Sequence, residues 1–376
     1  MLKKNTNITF VVMFILMCSV PLMFSNLVHG TPSVAENRML HGIAKVFKWD
    51  GSLNKDVLNE FDGWIDDNIG FRSEIVALNA KIQFYIFNRF THNSNLCMGP
   101  DGIINRGAEN EIRQYQHLDL KSKEELEEIA GSFQKISDYL KSNGIQYYYM
   151  PLYEKYSIYP EHMPEYIIQY GDVSRIDQIV EVLKEKTDIN LVLLKEKLIE
   201  AKKEYRSYSE YGDPTHWTDR GAYIGYSELM KLINNNGNAF RILEEEDYNI
   251  TIQDKGETLF GGIKLVDYME DFELKNLNAV EVREDLGEYA EDSQFAYYRN
   301  DKVENKTRAL LFTDSYIRFY LLDEFSETFH EVIWIHADRM SDFEKYIDQF
   351  KPDIVIHENA ECTDRYDSLK KIAEGL

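Results

Sequence analysis

The sequence predicts an α/β fold: a three-layer sandwich whose mainly parallel central sheet is covered by helices on both faces. Three observations lead there. The last third of the chain alternates short apolar runs at residues 309–312, 332–335 and 354–356 with helical patterns. The middle repeats the theme, with apolar runs at 145–150 and 191–194 separated by helical spacing. Ser315, Glu358 and Asn359 fall just after such runs, at the carboxyl ends of the expected strands, where open sheets place their sites, and Asp213 to Trp217 opens a helix beginning near Thr218 on the same edge.

The elements follow in order. Lys3 and Lys4 precede an apolar stretch over residues 8–24, after which Ser25-Asn26 and Val28-His29-Gly30 restore small and polar residues. That is the pattern of a secretory signal, with cleavage after Gly30. A retained anchor in the cytoplasmic membrane, lysines on the cytoplasmic side, fits as well; a buried core helix is the bland alternative. Either main reading sets the remainder outside the cytoplasm, in the periplasm or at the cell surface. The expected organisation is a signal or anchor over 1–30, a helical extension over 31–110 and an α/β domain over 111–376.

Residues 52–90 carry helical spacing through Leu53, Val57, Phe61, Trp64, Ile75, Leu78, Ile82 and Ile86, and Asp101-Gly102 marks a turn. Ser122 and Glu125 form a capping box ahead of Leu126, Ile129, Phe133, Ile136 and Leu140. Asn143-Gly144 stops that helix. Another helix carries Ile176, Ile179, Val180 and Leu183. Thr218 caps a third, with Ala222, Tyr226, Leu229, Met230 and Ile233 along one face. Residues 236–300 are irregular and acidic and predict no clear element. After 309–312, a helix sets Ile317, Tyr320, Leu321 and Phe325 inward.

With 376 residues, 44% of them apolar, and 25 Tyr and 20 Phe, the chain can bury a sizeable core. A net charge of −23 without a long basic run excludes nucleic acid as a partner. Cys97 and Cys362 are free to pair outside the cytoplasm or to remain as buried thiols. There is no HExxH, no paired CxxC and no glycine-rich phosphate loop. His336 with Asp338, and His357 with Glu358, are better explained as solvated strand ends than as ligands. No metal and no cofactor is expected.

Two segments carry the candidate chemistry. Asp213-Pro214-Thr215-His216-Trp217 supplies a carboxylate and an imidazole; Thr313-Asp314-Ser315, ending an apolar run, supplies a hydroxyl. A serine hydroxyl becomes a nucleophile when a base removes its proton and a carboxylate orients that base. Ser315, His216 and Asp213 are the candidate set, with helix amides after Ser315 available to an oxyanion. The bland readings are a helix cap at Asp314-Ser315 and a polar turn at 213–217 packed over Trp217.

At these residues the chain resembles the SGNH-hydrolase-like O-acetyltransferases of bacterial polysaccharide modification, including the alginate acetylation proteins AlgJ and AlgX and the DHHW proteins. The resemblance runs from about residue 36 to 361. It includes Glu36-Asn37-Arg38 and Asp67-Asn68-Ile69-Gly70-Phe71-Arg72, which is similar to the family's "D-x-F-P-x-R", and Met98-Gly99-Pro100-Asp101-Gly102, similar to its "G-x-D-G". Met150-Pro151 through Lys155, Tyr159 and Pro160 resembles "P-x-K-x-x-x-Y-P"; residues 213–217 resemble the Asp/His element; residues 312–315 resemble the "G-D-S" block; and Lys351-Pro352-Asp353 fits as well. Two departures stand out. Asp213 lies three residues before His216, the spacing of ordinary SGNH hydrolases rather than Asp-x-His. Thr313 stands where the family often has Gly.

The resemblance implies a Ser-His-Asp enzyme that moves acetyl groups onto hydroxyls of an exported or cell-surface polysaccharide through an acetyl-serine. The acetyl group would come from a membrane-bound O-acyltransferase. Trp217, Lys155, Tyr159 and Asn359 are candidate substrate or oxyanion residues, and Trp217, Tyr153, Tyr156 and Tyr159 candidate sugar platforms. A carbohydrate acetylesterase of the same fold and a non-catalytic glycan-binding or scaffold protein of an export complex are the alternatives. The charge balance favours a neutral or amino-bearing glycan, unless Lys155, Arg206, Arg318 or Arg339 builds a basic patch.

Overall fold

The computed structural model describes residues 2–25, 32–33, 38–91, 95–259 and 261–376. It divides into two compact units, Met1–Ser94 with Glu257–Leu265, and Asn95–Gly256 with Val266–Leu376.

In the first unit a helix spans Leu2–Met23. No helix among the described residues is long and apolar enough to cross a membrane. The cleavage point expected after Gly30, and Glu36-Asn37, lie outside the described residues. The helical run expected over 52–90 is two helices, Val57–Asn68 and Arg72–Phe87. The break falls at Gly70-Phe71: Phe71 is left-handed (φ 62°), and a Cβ on Gly70 would sit 2.6 Å from the Pro21 carbonyl oxygen. Buried Asp67 accepts from the His41 amide (2.8 Å) and pairs with the His41 ring (2.7 Å), while Asn68 donates to the His41 and Trp64 carbonyls. The Asp67–Arg72 motif thus begins with two buried polar side chains that tie this junction together.

The second unit is the predicted sandwich. Its seven-stranded sheet runs in the order Val280–Glu281, Phe295–Arg299, Glu331–His336, Arg308–Thr313, Ile354–Ala360, Gln146–Leu152, Asn190–Leu191. The last five are parallel, and Phe295–Arg299 runs antiparallel to both of its neighbours. Side chains alternate between the faces as the pleat requires. Met150, Leu152, Ala309, Leu311, Val332, Trp334, Ile354 and Ile356 enter the core on one face; Tyr147, Tyr149, Leu310, Phe312, Ile333, Ile335 and Val355 enter the other. Because both faces are covered, the central strands read as unbroken apolar runs. The helix Asp219–Asn235 packs into the first core, and the helices Lys123–Ser142 and Phe343–Phe350 into the second.

Boundaries differ from expectation in places. The strand expected at 191–194 is two residues long, and the last strand extends through Ala360, so Glu358 and Asn359 lie within it rather than beyond it. The helix after Ser315 is two, Ser315–Tyr320 and Leu322–Thr328. The region 236–300 contributes Phe295–Arg299 to the main sheet and a separate antiparallel ribbon, Tyr248–Asp254 with Tyr268–Leu274.

That ribbon is clamped to the helix Asp219–Asn235. Buried Arg220 makes a two-pronged bond to Glu270 (2.8 and 2.6 Å) and a further one to Glu245, with its guanidinium 4.7 Å from the Phe272 ring centre. Asp219 accepts from the Phe272 amide at 3.1 Å. Removing the cation strands two carboxylates and empties a packed position, so Arg220→Ala should lower stability by about 2–3 kcal/mol. Urea denaturation of the two proteins measures it.

Candidate active site

The strand Arg308–Thr313 lies at the middle of the sheet and delivers Ser315 just beyond its carboxyl end. Asp314 caps the short helix, its Oδ1 accepting from the Tyr316 amide at 3.0 Å. The Asp314 amide in turn donates to Glu358 Oε2 at 2.8 Å, and Arg365 pairs with Asp314 Oδ2 at 3.3 Å. Asp314 therefore does the capping, and Ser315 is left for other work. Thr313 is buried and its Oγ1 accepts from the Trp334 indole at 2.9 Å.

The second segment arrives from the opposite side of the chain's order. The Asp213 carboxylate accepts from the Thr215 amide (2.7 Å) and the His216 amide (3.1 Å), closing a tight polar turn. Its other oxygen lies 2.7 Å from His216 Nδ1, and His216 Nε2 lies 2.8 Å from Ser315 Oγ. The three residues expected to meet do meet, in the order carboxylate, imidazole, hydroxyl. Burial alone would raise the Asp213 carboxyl; the hydrogen bond and charge of His216, with the two amides, outweigh it and leave it below the ordinary range.

Trp217 holds this turn from below. It is 1% exposed, and its indole donates to the Tyr316 carbonyl at 3.3 Å. The helix above comes close only because Gly225 lacks a side chain; a Cβ there would lie 2.7 Å from the Trp217 ring. The Tyr316 hydroxyl donates to the Thr215 carbonyl at 2.6 Å, tying the serine turn to the histidine turn. The imidazole is walled by Tyr316, Tyr320 and Phe319, with ring centres at 4.9, 5.7 and 6.3 Å.

The remaining sequence candidates are placed otherwise. Trp217, Tyr153, Tyr156 and Tyr159 are all buried, so none presents a face to a sugar. The Tyr159 hydroxyl accepts from the Ser207 amide at 3.0 Å. Lys155 is 2% exposed and donates to the Ile104 carbonyl; burial lowers its ammonium to about 8. Asn359 is buried, donating to Tyr366 and accepting from Thr363 and Arg365, with no bond to the triad. Arg206 pairs with Asp267, Arg339 with Asp292, and Arg318 lies over Trp334, so with buried Lys155 they build no common basic patch. Cys97 and Cys362 are free thiols and form no disulfide. Among the described residues no group of three or more His, Cys, Asp or Glu is arranged to hold a metal ion.

Behind the triad lies a buried acidic pair with a measurable consequence. The Glu154 amide donates to Glu361 Oε2 and the Ser157 hydroxyl to Glu361 Oε1, both at 2.9 Å. Burial pushes Glu154 up to about 7, with the Cys362, Arg106 and Tyr316 contacts opposing it. Burial pushes Glu361 up to about 8 against the Glu154 amide and Ser157 bonds. The native state thus holds protons that the unfolded chain has already released. Their stabilisation is complete below about pH 4 and is lost as pH rises through 7 to 8, by up to about 1.4 kcal/mol per pH unit for each group. Melting temperature should fall from pH 5 to pH 8, and Glu154→Gln with Glu361→Gln should flatten that slope.

Fold and motif together define an SGNH-hydrolase-like domain. Residues 110–261 match the family model described as SGNH hydrolase-like domain, acetyltransferase AlgX. That stretch contains Asp213 and His216; Ser315 lies beyond it. No curated protein matches the chain by sequence. Among solved structures, Bacillus cereus PatB1 is similar in fold, 16% identical over 73% of this chain and 99% of its own, with a TM-score of 0.55. PatB1 carrying a sulfonyl adduct is 16% identical over 65% and 93%, TM-score 0.51. The O-acetyltransferase domain of Pseudomonas putida AlgJ is 15% identical over 74% and 100%, TM-score 0.45.

Proposed function

We propose that this protein is an O-acetyltransferase that works outside the cytoplasm on a polysaccharide, through Ser315, His216 and Asp213. One observation carries the reading: Ser315 Oγ lies 2.8 Å from His216 Nε2, whose other nitrogen lies 2.7 Å from the Asp213 carboxylate. The acetyltransferase family of the matched domain supports the reaction class. The basic-then-apolar amino terminus supports the setting.

The steps follow from the geometry. Asp213 accepts a hydrogen bond from Nδ1–H, which keeps the proton on Nδ1 and leaves Nε2 free to take the Ser315 proton as Oγ attacks the donor's acetyl carbonyl. The Ser315 amide, without a hydrogen-bond partner among the described residues, faces the developing oxyanion. His216 returns its proton to the leaving group, giving acetyl-Ser315. An acceptor hydroxyl then loses its proton to His216 and attacks the acetyl carbon, and Ser315 is restored. The acetyl donor is delivered by a membrane-bound acyltransferase.

Purified protein incubated with p-nitrophenyl acetate, with and without an acceptor oligosaccharide, should yield O-acetylated acceptor by mass spectrometry. An aryl sulfonyl fluoride, chosen because PatB1 carries a sulfonyl adduct, should label the peptide bearing Ser315 and stop the reaction. Absence of both labelling and acetyl release would sink the proposal. The Asp-x-x-His spacing favours a second reading, an acetylesterase; acetyl release with no transfer to any acceptor would decide for it.

A further inference from the structure

The wall of aromatic rings beside His216 is also the rim of a cleft of about 750 Å³. Phe319 and Tyr320 line it on the triad side, and Phe319 is 72% exposed, an unusual state for a large apolar ring next to a catalytic base. The opposite wall is the ribbon clamped by Arg220, with Asp271 and Glu273 facing in. The floor carries Asp219, Asp323 and Glu324, against a single basic side chain, Arg318.

These acids differ in how their charge is met. Asp271 is paired with Lys255, and one Asp219 oxygen is taken by the Phe272 amide. Arg318 spreads its guanidinium over the Trp334 ring, 5.2 Å away. Glu324 is nine-tenths buried (9% exposed) yet lines the cleft, with the Tyr248 hydroxyl as its polar company. Burial raises its carboxyl to about 8, and the neighbouring Asp323 and Asp219 charges push the same way. Burial likewise raises Asp219 and Asp323. A cation entering this cleft would relieve all three.

We infer that this cleft seats the acceptor, and that the acceptor is an amino-bearing glycan, a polymer containing free hexosamine, rather than a uronic-acid polymer. The inference rests on the proposed acetyl transfer for its meaning and on the cleft for its chemistry. An aminosugar offers an apolar ring face to Phe319 and Tyr320 and an ammonium to the carboxylates, whereas a uronate would add its charge to theirs. Phe319 and Tyr320 belong both to the cleft and to the wall of the His216 ring, so a sugar seated on them lies beside the imidazole.

The test measures binding to the full chain, at a pH where the amine is protonated, of three probes: a glucosamine hexamer, an N-acetylglucosamine hexamer and a uronic-acid hexamer. The amino hexamer should bind about tenfold tighter than the neutral one, and the uronate weakest. Glu273→Gln with Asp323→Asn, both isosteric, should cut the amino-over-neutral preference to about twofold, as loss of two partly exposed ion pairs implies. Glu181→Gln with Glu185→Gln, exposed acids on the helix Arg175–Lys186, should leave it intact. Equal loss in both double variants would mean attraction to overall charge and would overturn the cleft; uronate binding as tight as the amine would overturn the acceptor class. Ser315-dependent acetyl release is scored separately. Amine-selective binding without it keeps the cleft and defeats the enzyme, and the reverse keeps the enzyme and defeats this inference.

Discussion

Ser315→Ala should reduce acetyl release and acetyl transfer by at least about 10⁴-fold while leaving the fold intact. The size follows from what is removed: without Oγ there is no atom to carry the acetyl group, and His216 has nothing to deprotonate but water. Stability should barely change. Ser315 is half-buried, its one side-chain bond is to His216, and alanine is at home in the first turn of a helix whose cap, Asp314, is untouched. Steady-state rates with p-nitrophenyl acetate and a thermal melt on the same sample check both halves. A variant that melts like the parent and still transfers acetyl groups would remove Ser315 from the mechanism.

Asp213→Asn should lower kcat by about 10³- to 10⁴-fold with little change in KM. The carbonyl oxygen of asparagine can still accept from the Thr215 and His216 amides, so the turn persists. The amide nitrogen, however, now faces Nδ1 and donates to it. The imidazole must carry its proton on Nε2, the nitrogen that should accept from Ser315. The ring stays in place with the wrong tautomer. An unaltered rate would show that the carboxylate only shapes the turn.

The triad was readable in the sequence because its parts announce themselves locally. Asp213 and His216 share one turn, and Ser315 follows an apolar run that could only be a central strand. The three-residue spacing looked like a departure from Asp-x-His, yet the turn closes on it without strain. Burial was not readable. Trp217, Tyr153, Tyr156 and Tyr159 have the composition of a sugar platform, but all four are buried, Trp217 beneath the close helix at Gly225. Two of the rings that do face the histidine, Phe319 and Tyr320, lie four and five residues past Ser315; Tyr320, expected inward, packs against the core and lines the cleft as well. Their role depends on where the helix breaks, at Leu321, which no local signal marks. The ribbon within 236–300 was obscured for a different reason. Its strand Tyr248–Asp254 does alternate, Tyr248, Ile250 and Ile252 against Asn249, Thr251 and Gln253. It is mostly exposed, however, and set in irregular acidic sequence, and an arginine on a distant helix holds it in place.

The base and its acid sit three positions apart on the chain, whereas the alcohol is 99 positions from the base. Two of the three members of the proposed catalytic cluster are therefore brought together by local chain geometry, and tertiary folding has only one distant meeting to arrange. Loosening of the sandwich by heat or by a core substitution will accordingly part the nucleophile from the imidazole before it parts the imidazole from its carboxylate. Such a damaged molecule keeps an oriented base with nothing to activate, and inactivation runs ahead of unfolding.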